Sequence, residues 1–170
     1  MLLIERIRPE GFQRARSLRL RALEDAPDAF WVTAEQEART TAAEWRHRIA
    51  RSDAATFVAS RDGVDVGLVV GARHHDHEAD AGLYAMWVAP RARGSGVGSA
   101  LIEAVVRWAR AAGYRSLRLE VGDANDHALR LYERTGFQPT GRVGALPPPR
   151  QHITEHERAL DLQPGRHASS

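Results

Sequence analysis

One stretch limits what this chain can become: Met86-Trp87-Val88-Ala89-Pro90-Arg91-Ala92-Arg93-Gly94-Ser95-Gly96-Val97-Gly98-Ser99-Ala100-Leu101. It reads as a strand end, a glycine-rich turn and a helix start. Leu83 to Val88 is apolar and β-prone, as a buried strand requires. Pro90 has no N–H and stops a ladder. Gly94, Gly96 and Gly98 let the backbone turn sharply and approach a ligand closely. The helix that follows carries Val97, Leu101, Val105, Trp108 and Ala112 on one face. Its unpaired N–H groups and positive dipole end point at the turn, an arrangement that holds a phosphate or diphosphate. A plain strand-to-helix connection uses the same residue types.

Two nucleotide motifs fit poorly. A P-loop needs G-x-x-x-x-G-K-S/T, and the turn has no lysine. A dinucleotide fingerprint needs a third glycine where Ser99 stands. Arg93-x-x-Gly96-x-Gly98 does match Q/R-x-x-G-x-G/A, and Val88-Ala89-Pro90 precedes it. Here the chain resembles the GCN5-related N-acetyltransferases. Downstream, Leu119-Glu120-Val121-x-x-x-Asn125-x-x-Ala128-x-x-Leu131-Tyr132-Glu133-x-x-Gly136-Phe137 is similar to the second half of the same signature, in the same order and spacing. The two blocks cover roughly residues 80–141. The resemblance implies acetyl-coenzyme A as co-substrate and a direct transfer to a primary amine, of a small molecule or a protein N-terminus.

The rest of the composition narrows the classes. The chain has 170 residues, enough for one domain with a full core, expected over 1–163, with 164–170 a polar tail lacking fixed structure. There are no cysteines, which excludes disulfides, thiolate metal sites and a cysteine nucleophile. No run approaches a membrane span and Met1 to Ile4 is followed at once by Glu5 and Arg6, so a cytoplasmic protein without membrane partners is expected. All 24 basic residues are arginine, read with the abundant alanine as coding bias of a GC-rich bacterium. They are dispersed among 22 acids for a net charge of +2, unlike the concentrated basic face of a nucleic-acid binder.

Along the chain, Leu2 to Arg8 reads as a strand and the residues after Pro9-Glu10-Gly11 as a helix to about Glu24. Phe30 and Trp31 lie in a segment without clear period. They are core filling or, by the resemblance, walls of an acceptor pocket. Thr40 to Glu44 opens a second helix running to about Arg51. Ala55 to Ser60, an Arg61-Asp62-Gly63 turn and Val64 to Ala72 form a hairpin. His74-His75-Asp76-His77-Glu78 reads as a solvated turn without metal-ligand spacing, so no metal is expected. Ala79 to Val88 is the central strand, Ser95 to Ala112 a helix, Ser116 to Val121 a strand, and Asp126 to Thr135 a helix. A strand starts at Phe137, Leu146-Pro147-Pro148-Pro149 reads as a stiff extended linker, and Ile153 to Leu162 is the last strand. The order predicts an α/β (α+β) fold with a mixed sheet. The resemblance sharpens this to six or seven strands and about four helices, with two parallel strands splaying near Val88 and a bulge in the central one.

The remaining roles follow from the resemblance. Backbone groups of Met86, Trp87 and Val88 would pair with the pantetheine arm, with the Val88 N–H polarising the acetyl carbonyl. Backbone N–H groups of Gly94, Ser95, Gly96, Val97, Gly98 and Ser99 would hold the diphosphate, assisted by Arg93 unless it is simply solvated. Tyr132 is the implied general acid, or a structural aromatic beside Phe137. Asn125 would bond the cofactor arm, cap the following helix, or do both. Glu120 is the implied base, or a solvent-facing carboxylate in phase with Arg118. Glu35, Glu37 and the histidine cluster are alternatives. A carboxylate-lined pocket would select a polyamine or aminoglycoside; an arginine-lined one, an amino acid or acidic ligand. A homodimer through the C-terminal strands is a further implication. A non-catalytic acyl-CoA-binding regulatory module is the competing reading.

Overall fold

The computed structural model describes residues 1–163; the expected tail, 164–170, lies outside them. Seven strands form one sheet: β1 (Leu2–Arg6), β2 (Ala54–Arg61), β3 (Val64–Arg73), β4 (Ala81–Val88), β5 (Ser116–Gly122), β6 (Gln138–Ala145) and β7 (Thr154–Asp161). Five helices accompany them: α1 (Phe12–Asp25), α2 (Ala34–Ala38), α3 (Ala42–Ala50), α4 (Val97–Ala111) and α5 (Asp126–Arg134). The spatial order is β1-β2-β3-β4-β5-β7-β6, antiparallel throughout except for the β4–β5 pair. This is the mixed sheet that the element order predicts, with α4 as the crossover between the parallel strands.

Small residues decide how the layers meet. Gly67 and Gly71 lie on one face of β3. A Cβ at Gly67 would sit 2.9 Å from Leu101 Cδ1, and one at Gly71 would sit 2.8 Å from the Trp108 ring. The α4 stripe Val97, Leu101, Val105 and Trp108 therefore rests directly on the strand. The stripe ends at Ala109, which is buried, and not at Ala112, which is exposed. Leu68 and Val70 point to the opposite face, toward α1 and α3. The sheet is thus covered on both sides, and β2 and β3 are almost continuously apolar.

Three local expectations fail for identifiable reasons. Helix α2 is a separate five-residue turn of helix, and its signal was the capping box Thr33-x-x-Gln36: Thr33 Oγ1 accepts from Gln36 N–H at 3.1 Å, and Gln36 Oε1 accepts from Thr33 N–H at 2.9 Å. The proline segment is not an extended linker. Leu146 is buried, Arg150 N–H bonds the Pro147 carbonyl at 3.0 Å, and Ile153 N–H bonds the Arg150 carbonyl at 3.0 Å, so residues 146–153 fold into successive turns. The histidine cluster is not wholly solvated: His74 is buried, stacked on His75 with ring centroids 4.4 Å apart.

The close seating of α4 sets a first prediction. Gly71→Val should overpack the Trp108 contact and cost about 1–3 kcal/mol. That reads as a fall in melting temperature of roughly 2–4 °C per kcal/mol. A melting temperature equal to that of the parent would contradict the packing described.

Candidate active site

The site begins with a fault in the sheet. Strands β4 and β5 are paired only at Ala81–Leu117 and Gly82–Arg118, and then part. The splay therefore opens several residues before Val88. On its other side β4 stays paired to β3, but the register shifts by one between Tyr84 and Trp87. Ala85, at φ 54°, and Met86 together oppose Val69: a β-bulge with an alanine in the left-handed region.

The bulge decides which backbone groups are free. The Ala89 N–H donates to the Val66 carbonyl at 2.8 Å, which fixes the phase of the antiparallel ladder. In that phase Trp87 exchanges bonds with Leu68, while the N–H groups of Met86 and Val88 face the gap. The Val88 carbonyl also faces away from β3, and accepts from Arg93 Nε at 3.0 Å. Trp87 thus does not present its amide to the gap. Its indole is buried instead, and Nε1 donates to Asp25 Oδ2 at 3.0 Å.

Arg93 is committed as well. Its Nη2 donates to the same Asp25 oxygen at 2.7 Å. The guanidinium thereby ties the start of the turn to the end of β4 and the end of α1. Ser95 Oγ donates to the Ala92 carbonyl. Gly94 and Gly96 take φ values of 74° and 86°, and Gly96 is the helix N-cap. The first bond closing α4 runs from Ala100 N–H to the Gly96 carbonyl at 3.1 Å, so the N–H groups of 97–99 have no acceptor in the helix. The first turn holds no acidic residue to compete for them. Val97 buries its side chain, while Ser99 is exposed. A Cβ at Gly98 would lie 2.7 Å from Leu131 Cδ2, so this glycine lets α5 approach α4.

On the α4 and α5 side of the gap stands Tyr132. Its ring is 6% exposed and meets Phe137 edge-on with centroids 5.7 Å apart. Burial pushes its pKa above the ordinary phenol value, keeping the proton on. Asn125 caps α5, its Oδ1 accepting from Ala128 N–H at 3.3 Å.

The opposite side of the gap carries Tyr84, Glu120, Glu155 and Trp31. Tyr84 folds back over Gly82, where a Cβ would be 2.3 Å from its hydroxyl oxygen. Burial, with Glu120 and Asp76 adding to it, lifts the Tyr84 pKa to about 12. Glu120 is exposed and pairs in register with Glu157. Phe30 is core, beneath the Arg19 guanidinium, whereas Trp31 is 56% exposed and donates from Nε1 to Glu155 Oε1 at 2.7 Å. Glu155 is 5% exposed, and burial raises its pKa. No pattern in the chain points to Glu155, because only folding brings β7 beside the 27–31 loop. Arg150 fastens that loop by donating to the Phe30 and Trp31 carbonyls at 2.8 and 2.7 Å. Of the alternative acids, Glu35 pairs on the surface with Arg39, and Glu37 is buried between Arg19 and Arg48. Among the described residues no group of three or more His, Cys, Asp or Glu side chains could hold a metal ion.

Known proteins share this architecture. The Acetyltransferase (GNAT) family model matches residues 13–137, and the chain belongs to that family. It is 38% identical over 101 residues to an IAA acetyltransferase of Azospirillum brasilense, covering 59% of this chain and 65% of that one. It is 32% identical over 95 residues to an aminoglycoside N(6')-acetyltransferase type 1 of Salmonella typhimurium, covering 52% and 66%. The match thus spans less than two thirds of either relative. In fold it resembles a GNAT-family acetyltransferase from Streptococcus pneumoniae, with a TM-score of 0.81, 21% identity, and coverage of 96% and 100%.

The brace around Asp25 makes a pH prediction. Trp87 and Arg93 hold this carboxyl below the usual range, the Trp87 bond contributing most. A depressed folded pKa contributes stability above the unfolded value of about 3.9, and that stability is lost as pH falls through the folded value. Asp25→Asn should therefore cost about 1 kcal/mol at neutral pH and flatten the loss of stability below pH ~4. Urea melts of both proteins across that range check this; superimposable curves would refute it.

Proposed function

We propose that the protein transfers the acetyl group of acetyl-CoA directly to a primary amine. The observation that carries this reading is the unpaired β4 edge lying beside a helix start with free amides. Between them they offer what a thioester on a long polar arm needs. The N–H groups of 97–99 suit a diphosphate, because they combine unused donors with the positive end of α4. The edge from Met86 to Val88 suits the amide-bearing arm, which would add to β4 in the place that β5 vacates. A Salmonella typhimurium protein of this fold was solved with its cofactor acetyl-CoA, at a TM-score of 0.75 and 16% identity.

The chemistry then falls to few groups. The Val88 N–H is the donor for the acetyl carbonyl oxygen as charge grows on it. The amine nitrogen forms its bond to the carbonyl carbon, the carbon–sulfur bond breaks, and the thiolate takes a proton. Tyr132 is the group for that proton, its phenol being fully protonated at neutral pH. The proton lost by the amine goes to a carboxylate on the other side of the gap. Glu120 is the exposed candidate, with Glu155 close enough to feel its charge.

Two variants test this. Tyr132→Phe should lower kcat by about 10²–10⁴-fold, the range for loss of a general acid, while leaving acetyl-CoA affinity in calorimetry unchanged. Gly96→Glu should abolish that affinity, since it puts a Cβ at φ 86° and a carboxylate at the helix start. Full binding by Gly96→Glu sinks the proposed site. Binding by the parent without turnover on any amine would favour the regulatory module.

A further inference from the structure

We propose that the acceptor amine also carries an anionic group, a carboxylate in the simplest case, which docks on Arg19 and Trp45 in the cavity between α1, α3 and the sheet. This rests on the acetyl-transfer reading and names the class of its acceptor. The cavity measures about 600 Å³, the size of a small-molecule pocket. Tyr84 and Ala85 are among its lining residues, so it borders the bulge where the acetyl group would be presented. Leu68, Val70 and Thr56 make its floor.

Its charge is out of balance at one end. Arg19 and Arg48 share a single buried carboxylate: Arg48 Nη1 lies 2.5 Å from Glu37 Oε1, and Arg19 Nε lies 3.8 Å from Glu37 Oε2. Elsewhere on the wall the arginines are matched. Asp53 takes Arg51 at 2.9 Å and Arg73 at 3.6 Å, and Glu78 is 4.0 Å from Arg73. The unmet positive charge therefore concentrates at the Arg19–Arg48 end.

Unmet donors concentrate there too. Arg19 Nη1 and Trp45 Nε1 are enclosed and have no hydrogen-bond partner among the described residues. Trp45 is 6% exposed and the Arg19 side chain 15%. A buried donor left unpaired is costly, and a buried charge more so. Neither atom is open to a water molecule, so an anion pairs with them only when the Arg19 and Trp45 side chains turn toward the cavity they line; a carboxylate then answers both the donors and the charge. Burial is also the main pull on the Arg19 pKa, downward, with Arg48 adding to it and Glu37 opposing it. A bound anion relieves that strain on the charged form. The acceptor this geometry fits has two ends. Its anion sits on Arg19, and its amine passes Tyr84 toward the gap, where Glu120 and Glu155 favour a cation before it is deprotonated.

The test uses matched sets: L-amino acids, their carboxamides, and the amines formed by removing the carboxyl group. With acetyl-CoA present and thiol release as readout, the acids should exceed their partners in kcat/KM by on the order of tenfold to a hundredfold, mainly through KM. Arg19→Gln should bring the acids down to the level of the carboxamides. Arg48→Gln, at a half-exposed position, should shrink the preference, with its melting temperature read alongside because it loses the ion pair to the buried Glu37. Carboxamides as good as the acids, or a preference that survives both substitutions, would overturn the anion anchor while leaving acetyl transfer intact. Calorimetry of the same amino acids without acetyl-CoA reads the anchor separately. Heat of binding in the parent, lost in Arg19→Gln, supports it; no heat with any acid of the set counts against it even if amines are acetylated.

Discussion

The extra residue in β4 governs the rest of the molecule. A left-handed alanine costs about 1–2 kcal/mol, and it persists because both neighbours of the bulge are fixed in the ladder with β3. Its first effect is to turn two amides, those of Met86 and Val88, out of the sheet. Its second is to exchange faces along the strand. Before the bulge the even positions, Gly82 and Tyr84, look toward α1 and α3. After it the odd Trp87 does so, and Met86 moves under Gly98. One inserted residue thus frees the backbone edge beside the gap and anchors that edge to both helical layers.

The anchoring explains why the turn can hold its shape without a ligand. The Asp25 carboxylate collects Trp87 from the strand and Arg93 from the turn, and Arg93 also bonds the last carbonyl of β4. Arg61 adds a bond to the Ser95 carbonyl at 3.1 Å. The loop before α4 is therefore preorganised, so little ordering is left to be done on binding. The family motif residue Arg93 acts here through structure, by bracing the turn that leads into α4.

The acceptor side is assembled differently. Residues 27–31 and 146–155 are far apart in sequence, and Arg150 and the Trp31–Glu155 bond join them. Behind them the cavity floor comes from β2 and β3 and its lid from α1 and α3. In the proposed reading, recognition of the common donor would sit on a rigid strand-turn-helix unit, and recognition of the acceptor on loops and short helices, where side chains change without disturbing the sheet.

What the sequence determined by itself is local. Alternation and glycine spacing marked the strand, turn and helix from Leu83 to Ala112 to within two residues, because that motif is closed by contacts among neighbours. Asn125 was readable as a cap for the same reason. The sequence also showed the family, through two blocks whose spacing the fold needs. What only the tertiary structure decided is everything set by contacts across the chain. It gave Phe30 to the core and Trp31 to the surface, turned Trp87 away from the gap, hid His74, and set Glu37 between two arginines. Charge balance in a cavity depends on which distant side chains meet, and no one-dimensional pattern carries that information. The unpaired donors of Arg19 and Trp45 exist only once α1, α3 and the sheet have closed around them.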